Sequence, residues 1–284
     1  MKSIMELLRN GNNETRFENK KKEGKAMKNF WQSIQLAFQF FTVLPVHKEI
    51  PLTKVTITGM FAFLPWIGAL MGTVVAAVIY GLTEWTTSSE VLLSFMIVGL
   101  FALFTGGLHL DGFIDMGDAY FSYRDREKRL EILDDPRVGA FGVLSVLFLV
   151  LGKLVILHEL FVQHKLALWM LIFIPLLTRV GMSFYFMSLQ CSKEKGLAYF
   201  FKTHIKPGLL ICFMFLTLVV AYSSLWIVIG FSFVPFVLMA VLAIAFLVFR
   251  QFTVRNFGGV SGDLLGASIE GMEVVLWVTL LLCA

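Results

Sequence analysis

An all-α, polytopic membrane bundle of about seven transmembrane helices, led by an interfacial helix, is the fold class this sequence predicts. Three observations carry it. Of 284 residues, 57% are apolar and only 15% charged, with mean hydropathy +0.78, which is more apolar surface than a soluble core of this length can bury. The apolar residues fall into separate runs, most of them near the ~20 that a helix needs to cross about 30 Å of hydrocarbon. The Lys and Arg residues gather between alternate runs, the arrangement that the positive-inside rule gives a multi-pass chain.

In order, residues 1–26 are rich in Lys and Asn and lack any apolar core or signal-peptidase site, so they are expected to be a disordered extension. Met27 is a possible second start. Residues 27–284 are expected to form one integral membrane domain. Phe30 to Val46 mixes apolar residues at helical spacing with Gln32, Ser33, Gln35 and Gln39 and ends at Pro45, the pattern of a helix lying on the membrane surface. Ile57 to Leu82 is the first span, where Pro65, Gly68 and Gly72 signal a kink or close helix packing. Val91 to Leu108 is the second. Five more follow: Phe141 to Leu160, Leu166 to Leu189, Leu209 to Ile229, Phe233 to Phe249, and Leu264 onward.

Orientation follows from charge. Ten of the 24 Lys and Arg residues precede Val55, five lie between Asp111 and Val138, and Lys193, Lys195, Lys202, Lys206, Arg250 and Arg255 sit in two later segments. The alternate connections are almost free of them. The N-terminus and all three charged segments are therefore expected on the cytoplasmic side of a bacterial plasma membrane. No soluble basic module is visible, which argues against a nucleic-acid partner. Cys191, Cys212 and Cys283 are odd in number and far apart, suggesting neither a disulfide framework nor a zinc site. Oligomeric state stays open.

Two polar islands interrupt the apolar chain. The first runs from Gly106 through His109, Asp111, Asp115 and Asp118 to Arg124, Arg126, Arg129 and Arg137. On a helix, acids at i, i+4 and i+7 lie within about 60° of one another. Three carboxylates so placed repel unless a cation joins them, and a hard divalent ion such as Mg²⁺ takes such oxygens while keeping positions for phosphates. The arginines suit paired donation to phosphate; each also satisfies the positive-inside pattern. Glu131, Asp134 and Asp135 fit a site or a solvated face equally well.

The second island, Gly258-Gly259-Val260-Ser261-Gly262-Asp263, precedes the last span. Glycines permit close phosphate approach and a helix start offers free N–H groups; a packing segment with Asp263 as N-cap reads the same residues differently. Within the spans, Lys153 has Glu159 as a local partner and is expected to be structural, whereas Arg179 has none and is a candidate for holding a substrate anion.

Thr105 to Leu144 (TGGLHLDGFIDMGDAYFSYRDREKRLEILDDPRVGAFGVL) and Gly258 to Ala267 (GGVSGDLLGA) closely resemble the cobalamin synthase family, the adenosylcobinamide-GDP ribazoletransferases. Phe40 to Val46 and Leu64 to Gly68 are similar as well. Where the family reads GLADTADG, this chain has Gly112-Phe113-Ile114-Asp115-Met116-Gly117-Asp118-Ala119, keeping the acids and changing their small neighbours. The resemblance implies a Mg²⁺-dependent membrane enzyme that completes the nucleotide loop of adenosylcobalamin. It would join adenosylcobinamide-GDP to α-ribazole or its 5′-phosphate and release GMP.

On this reading Asp111, Asp115 and Asp118 hold the metal, and Asp263 is the base, with Asp111 and Asp115 also catalytic. His109, Arg124, Arg126, Arg129, Arg137, Arg179, Gly258, Gly259 and Gly262 contact substrate. Two other readings compete. A CDP-alcohol phosphotransferase or prenyltransferase would need a different acid spacing or a second acid-rich motif, and an ion-coupled transporter would need internal repeats; the sequence supplies none of these.

Overall fold

The computed structural model describes residues 24–122 and 125–283; among them the regular structure is all helix, apart from one isolated parallel bridge between Cys191 and Val260. The helices are α1 (residues 24–41), α2 (Lys54–Trp85), α3 (Glu90–Thr105), α4 (Leu108–Ser122), α5 (Arg126–Ile132) and α6 (Ala140–Val162). They continue with α7 (Leu168–Ser188), α8 (Gly196–His204), α9 (Pro207–Ile229), α10 (Val234–Phe257) and α11 (Gly262–Cys283). Six of them, α2, α6, α7, α9, α10 and α11, are long and apolar enough to cross a membrane. α3 and α4 meet the same test only together, as a pair bent by 93°, which brings the number of candidate spans to as many as seven.

α7 lies at the centre, with 83% of its apolar window buried against 17% for α10, so the outer faces of α6, α9 and α10 are left for lipid. The closest contact is between α2 and α7. A Cβ on Gly72 would strike the Leu171 carbonyl, and one on Gly68 would stand 2.7 Å from the Pro175 carbonyl oxygen. Small residues here let two backbones touch, the usual means of holding helices together in lipid. α1 buries Leu36 and Ala37 and sets Phe30 edge-on to Phe63 of α2 at 5.2 Å.

Several boundaries differ from expectation. α1 stops at residue 41, before Pro45. The stretch from Arg250 to Asp263 is not a loop: α10 runs on to Phe257, and only Gly258 to Ser261 connects it to α11. Arg250 and Arg255 are exposed on that helical extension, where charge depresses hydropathy without breaking the helix. At the other end of the chain, residues 24–26 are already helical, and the expected disordered extension otherwise lies outside the described residues.

Lys153 does not use Glu159. Its Nζ donates to Glu270 at 2.5 Å and to Glu273 at 3.1 Å, both on α11 and all three buried. Arg179 shares their electrostatic neighbourhood, giving two positive and two negative groups. A mutually compensated set is the form in which charge is tolerated inside a bundle.

Candidate active site

The site is built where α3 ends. Gly106 (φ 63°) and Gly107 (φ 75°) both adopt left-handed backbone, a conformation that is easy for glycine and costly for other residues. They cap α3 and turn the chain by 93° into α4. α4 buries His109, Gly112, Met116, Gly117, Asp118 and Ala119 between α6 and α11. A Cβ on Gly112 would collide with the carbonyl oxygen of Asp263 and stand 2.9 Å from its Cα. On the α6 side, a Cβ on Gly142 would lie 3.0 Å from the Ile114 carbonyl oxygen. Glycine contacts on both flanks thus seat α4, and they bring Asp111 and Asp263, 152 residues apart in number (263 − 111), to the walls of one pocket.

The three acids of α4 fall into different surroundings. Asp111 is exposed, Asp115 half-buried and Asp118 buried. Asp118 accepts a hydrogen bond from the Gly142 N–H at 3.3 Å, and a Cβ on Gly139 would run into its carboxylate. Gly139, the N-cap of α6, has no side chain to offer, so Asp118 supplies the cap from a neighbouring helix. Asp115, on a helix that has turned away from the spans, has its carboxyl raised to about 7 by burial first and then by the charges of Asp263, Asp111 and Asp118. Four acids are therefore close enough to oppose one another's ionisation.

Asp263 is not the N-cap of α11. Ser261 takes that place: its carbonyl accepts from Leu265 N–H at 3.1 Å and its Oγ from Leu264 N–H at 3.3 Å. The Ser261 hydroxyl also reaches Asp263 Oδ2 at 3.3 Å. With the helix start satisfied by its neighbour, the Asp263 carboxylate is turned over to the site. Gly262 beside it has nothing within 4 Å of a notional Cβ and leaves the backbone open to a ligand.

Two cavities meet at Leu197, Ala198, Gly262 and Asp263. One, of about 210 Å³, is largely apolar and reaches between Phe40, Phe61, Phe201 and Ile269 to His109 and Asp111. The other, of about 430 Å³, is polar and is bounded by Asp134, Lys193, Lys195 and Ser261. Lys193 donates to the Leu130 carbonyl and pairs with Asp134, both at 2.6 Å; its hydrogen bond holds the Asp134 carboxyl below the ordinary carboxylate range. Lys202 donates to the Phe186 carbonyl, and at 2.5 Å to that of Leu189, closing the end of α7. The sequence shows these lysines only as loop charge. Nothing in their spacing announces that the turn after α7 folds onto the second island.

The remaining expected site residues divide. Arg126 crosses Gly258, so closely that a Cβ there would occupy its guanidinium, which ties the two islands together. Gly258 (φ 72°) ends α10, and Gly259 is pressed against the chain at Gln190 to Ser192, where Ser192 N–H and Val260 N–H exchange hydrogen bonds with Val260 and Gln190 carbonyls at 3.0 and 2.9 Å. Both glycines are used by the fold itself. Arg129 donates to Asn256 Oδ1 at 2.6 Å and lies over the Tyr120 ring, fixing α5 to α10. Arg137 is exposed and paired with Asp135 at 2.7 Å. Arg179 is 3% exposed and donates to the Pro175 carbonyl at 3.0 Å, inside the bundle and not among the residues lining either cavity. Arg124 lies outside the described residues.

Among the described residues no three His, Cys, Asp or Glu side chains come together as a group that could hold a metal ion. Asp111 and Asp263 line one cavity and Asp115 is close enough to both to feel their charge; carboxylate oxygens are the donors that hard ions take together with water and phosphate.

The family model for cobalamin-5-phosphate synthase matches residues 33–281, a span that includes both islands. Relatives named adenosylcobinamide-GDP ribazoletransferase include one from Geobacillus sp. (strain WCH70), 33% identical over 88% of this chain and 95% of that one. Another, from Halalkalibacterium halodurans, is 30% identical over the same shares, and one from Clostridium botulinum (strain Alaska E43 / Type E3) is 31% identical over 88% and 96%. No solved structure matches the chain. With the family model covering nearly all of its described length, this chain belongs to the cobalamin-5-phosphate synthase family.

Proposed function

We infer that this chain is the transferase that completes the nucleotide loop of adenosylcobalamin, joining adenosylcobinamide-GDP to α-ribazole or its 5′-phosphate with release of GMP. The observation that carries the reading is the family match across residues 33–281, which takes in the two islands that the fold joins at Gly112 and Asp263. A ribazole hydroxyl attacks the phosphorus nearer the cobinamide. A new P–O bond forms, the bond to the GMP phosphate breaks, and the hydroxyl proton passes to a carboxylate.

Asp263 suits the proton acceptor. It stands where the apolar and polar cavities meet, so a nucleophile held in one would face a diphosphate held in the other. Lys193 and Lys195 line the polar side and provide positive charge for the leaving phosphate. Gly262 gives the phosphate room to approach the start of α11.

Mg²⁺ is the metal that this reading calls for. Asp111 and Asp115 would hold it, with Asp118 orienting α4 through its bond to Gly142. When bound, the ion would neutralise the diphosphate and its leaving group. The bilayer of a bacterial plasma membrane would enclose the seven spans, with N-terminus and site on the cytoplasmic side. Support comes from the clustering of Arg126, Arg129, Lys193 and Lys202 around the site, all at the end where α7 and α10 finish and α11 begins.

The decisive assay is GMP release from adenosylcobinamide-GDP and α-ribazole by the detergent-solubilised full chain. The expected result is turnover that EDTA abolishes and Mg²⁺ restores. Absence of GMP release under any divalent ion would remove the transferase reading, and turnover indifferent to EDTA would remove the metal.

A further inference from the structure

Asp134 is an acid for which the reaction described above has no use. It follows α5, lines the polar cavity, and keeps its side chain 53% exposed. Two lysines converge on a single one of its oxygens: Lys193 Nζ stands 2.6 Å and Lys195 Nζ 3.7 Å from Oδ2. Ammonium groups gathered round one anionic oxygen are also how lysines hold a phosphate.

Lys193 does not depend on this acid for its place. Its Nζ also donates to the Leu130 carbonyl at 2.6 Å, and the backbone just before it is bonded to the second island through Gln190, Ser192 and Val260. Lys195 precedes α8, whose first turn has no side-chain cap and borders the same cavity, so the positive end of that helix adds to the lysines. Asp134 is therefore the exchangeable member of the group. An ion pair between groups this exposed is worth little, and a phosphate dianion offers the same two amines more charge and more acceptor oxygens. The neighbouring acid differs: Asp135 is tied to Arg137, and neither is among the residues lining the polar cavity.

We propose that Asp134 stands in for a substrate phosphate: it pairs with Lys193 and Lys195 in the free chain, yields them to the guanylate phosphate of the nucleotide-activated corrinoid, and takes them back as GMP leaves. The inference rests on the transferase reading above and deepens it by naming the competitor that the leaving phosphate displaces. The exchange is one of ion partners only; no bond forms or breaks at Asp134 and no proton moves. Its place suits the role, because Asp134 and Asp263 line the same cavity of about 430 Å³ and Asp134 lies within electrostatic reach of Asp263. A phosphate held by the lysines is thus in the same cavity as the proposed proton acceptor. Two lysines with no competing acid would hold GMP after the reaction, so Asp134 favours release of product at the expense of affinity.

Binding of GMP to the full chain in detergent tests the exchange, with guanosine as the phosphate-free probe. Asp134→Asn is expected to tighten GMP binding about fivefold, the most that an exposed ion pair is worth, and Asp135→Asn to leave it unchanged. Lys193→Met is expected to weaken GMP binding about tenfold, as loss of a charge-assisted contact does, and Lys195→Met to weaken it in the same direction. Guanosine should bind alike to all of them. In turnover, GMP should inhibit Asp134→Asn at about one fifth of the concentration that wild type requires.

GMP affinity that is unchanged or lower in Asp134→Asn overturns the proposal, as does equal tightening in Asp135→Asn or a parallel change for guanosine. GMP binding that survives both lysine substitutions undiminished overturns the phosphate seat itself. Tighter GMP binding in Asp134→Asn, in a protein that releases no GMP from adenosylcobinamide-GDP, would remove the transferase reading while leaving the exchange in place.

Discussion

Gly112 and Asp263 meet backbone to backbone: no Cβ fits at residue 112 without striking the Asp263 carbonyl, and Asp263 Cα is 2.9 Å from where that atom would be. The acids of α4 and the carboxylate of α11 are therefore positioned by a contact that involves neither acid's side chain. Gly112→Ala must push α4 from α11 by roughly 1 Å, a displacement that can cost about a hundredfold when reacting groups are held in register. GMP release should fall by about that factor with the protein still present in membranes at normal amount. Activity within threefold of wild type would mean the contact does not position the site.

Asp118 should separate from Asp111 and Asp115. Asp118→Asn keeps an acceptor for the Gly142 N–H and is expected to retain turnover within about tenfold, whereas Asp118→Ala should lose about 1 kcal/mol of stability as an N-cap does. Asp111→Asn and Asp115→Asn should each lower Mg²⁺-supported turnover at least a hundredfold. Measuring the Mg²⁺ concentration for half-maximal rate in all four variants checks the assignment. If Asp118→Asn behaves like Asp111→Asn, the α6 cap is also a metal ligand.

The proton on Asp115 gives a pH signature. Its carboxyl is raised from 3.8 to about 7, so between those values the folded chain holds a proton that the unfolded chain has released. Stability of the metal-free protein from this group is then full below 3.8, declines as pH rises toward about 7, and is level beyond it. A bound cation displaces the proton, so Mg²⁺ should raise Tm more above pH 7 than below it. Thermal unfolding in detergent across that range, with and without Mg²⁺, reads both trends, and Asp115→Asn should flatten them.

Lys153 and Arg179 should prove structural. Lys153→Met leaves Glu270 and Glu273 facing each other in the interior, and breaking a buried pair in this way costs about 3–5 kcal/mol. Restoring balance with Glu270→Gln and Glu273→Gln in the same chain should recover much of that loss. For Arg179→Met, reduced Tm is expected with KM for both substrates unchanged. A selective rise in one KM would return Arg179 to substrate binding.

The spans were legible because an apolar run near 20 residues has few other uses, and six of them come out as helices meeting that length and apolarity. The acid island was legible because Asp111, Asp115 and Asp118 keep helical spacing. What did not show was anything set by contacts distant in sequence. Lys153 finds its partners 117 and 120 residues away, so a local search stops at Glu159. Gly258 and Gly259 look like a phosphate loop until the chain at Gln190 to Ser192 is seen against them. Arg250 and Arg255 look like loop charge because hydropathy falls where α10 leaves the apolar layer. His109 is a candidate from its place in the motif, but the burial of its Nε2 without a hydrogen-bond partner shows only in the fold.

The Lys153 tie to Glu270 and Glu273 also sets an order of events during synthesis. α6 and α7 are made and inserted before α11, so Lys153 and Arg179 enter the membrane more than 90 residues ahead of the acids that neutralise them (270 − 179 = 91). Until α11 arrives the nascent bundle carries two uncompensated positive groups and lacks Asp263. A chain stalled before α11 thus lacks both the acids that balance Lys153 and Arg179 and the helix that brings Asp263 to the cavity.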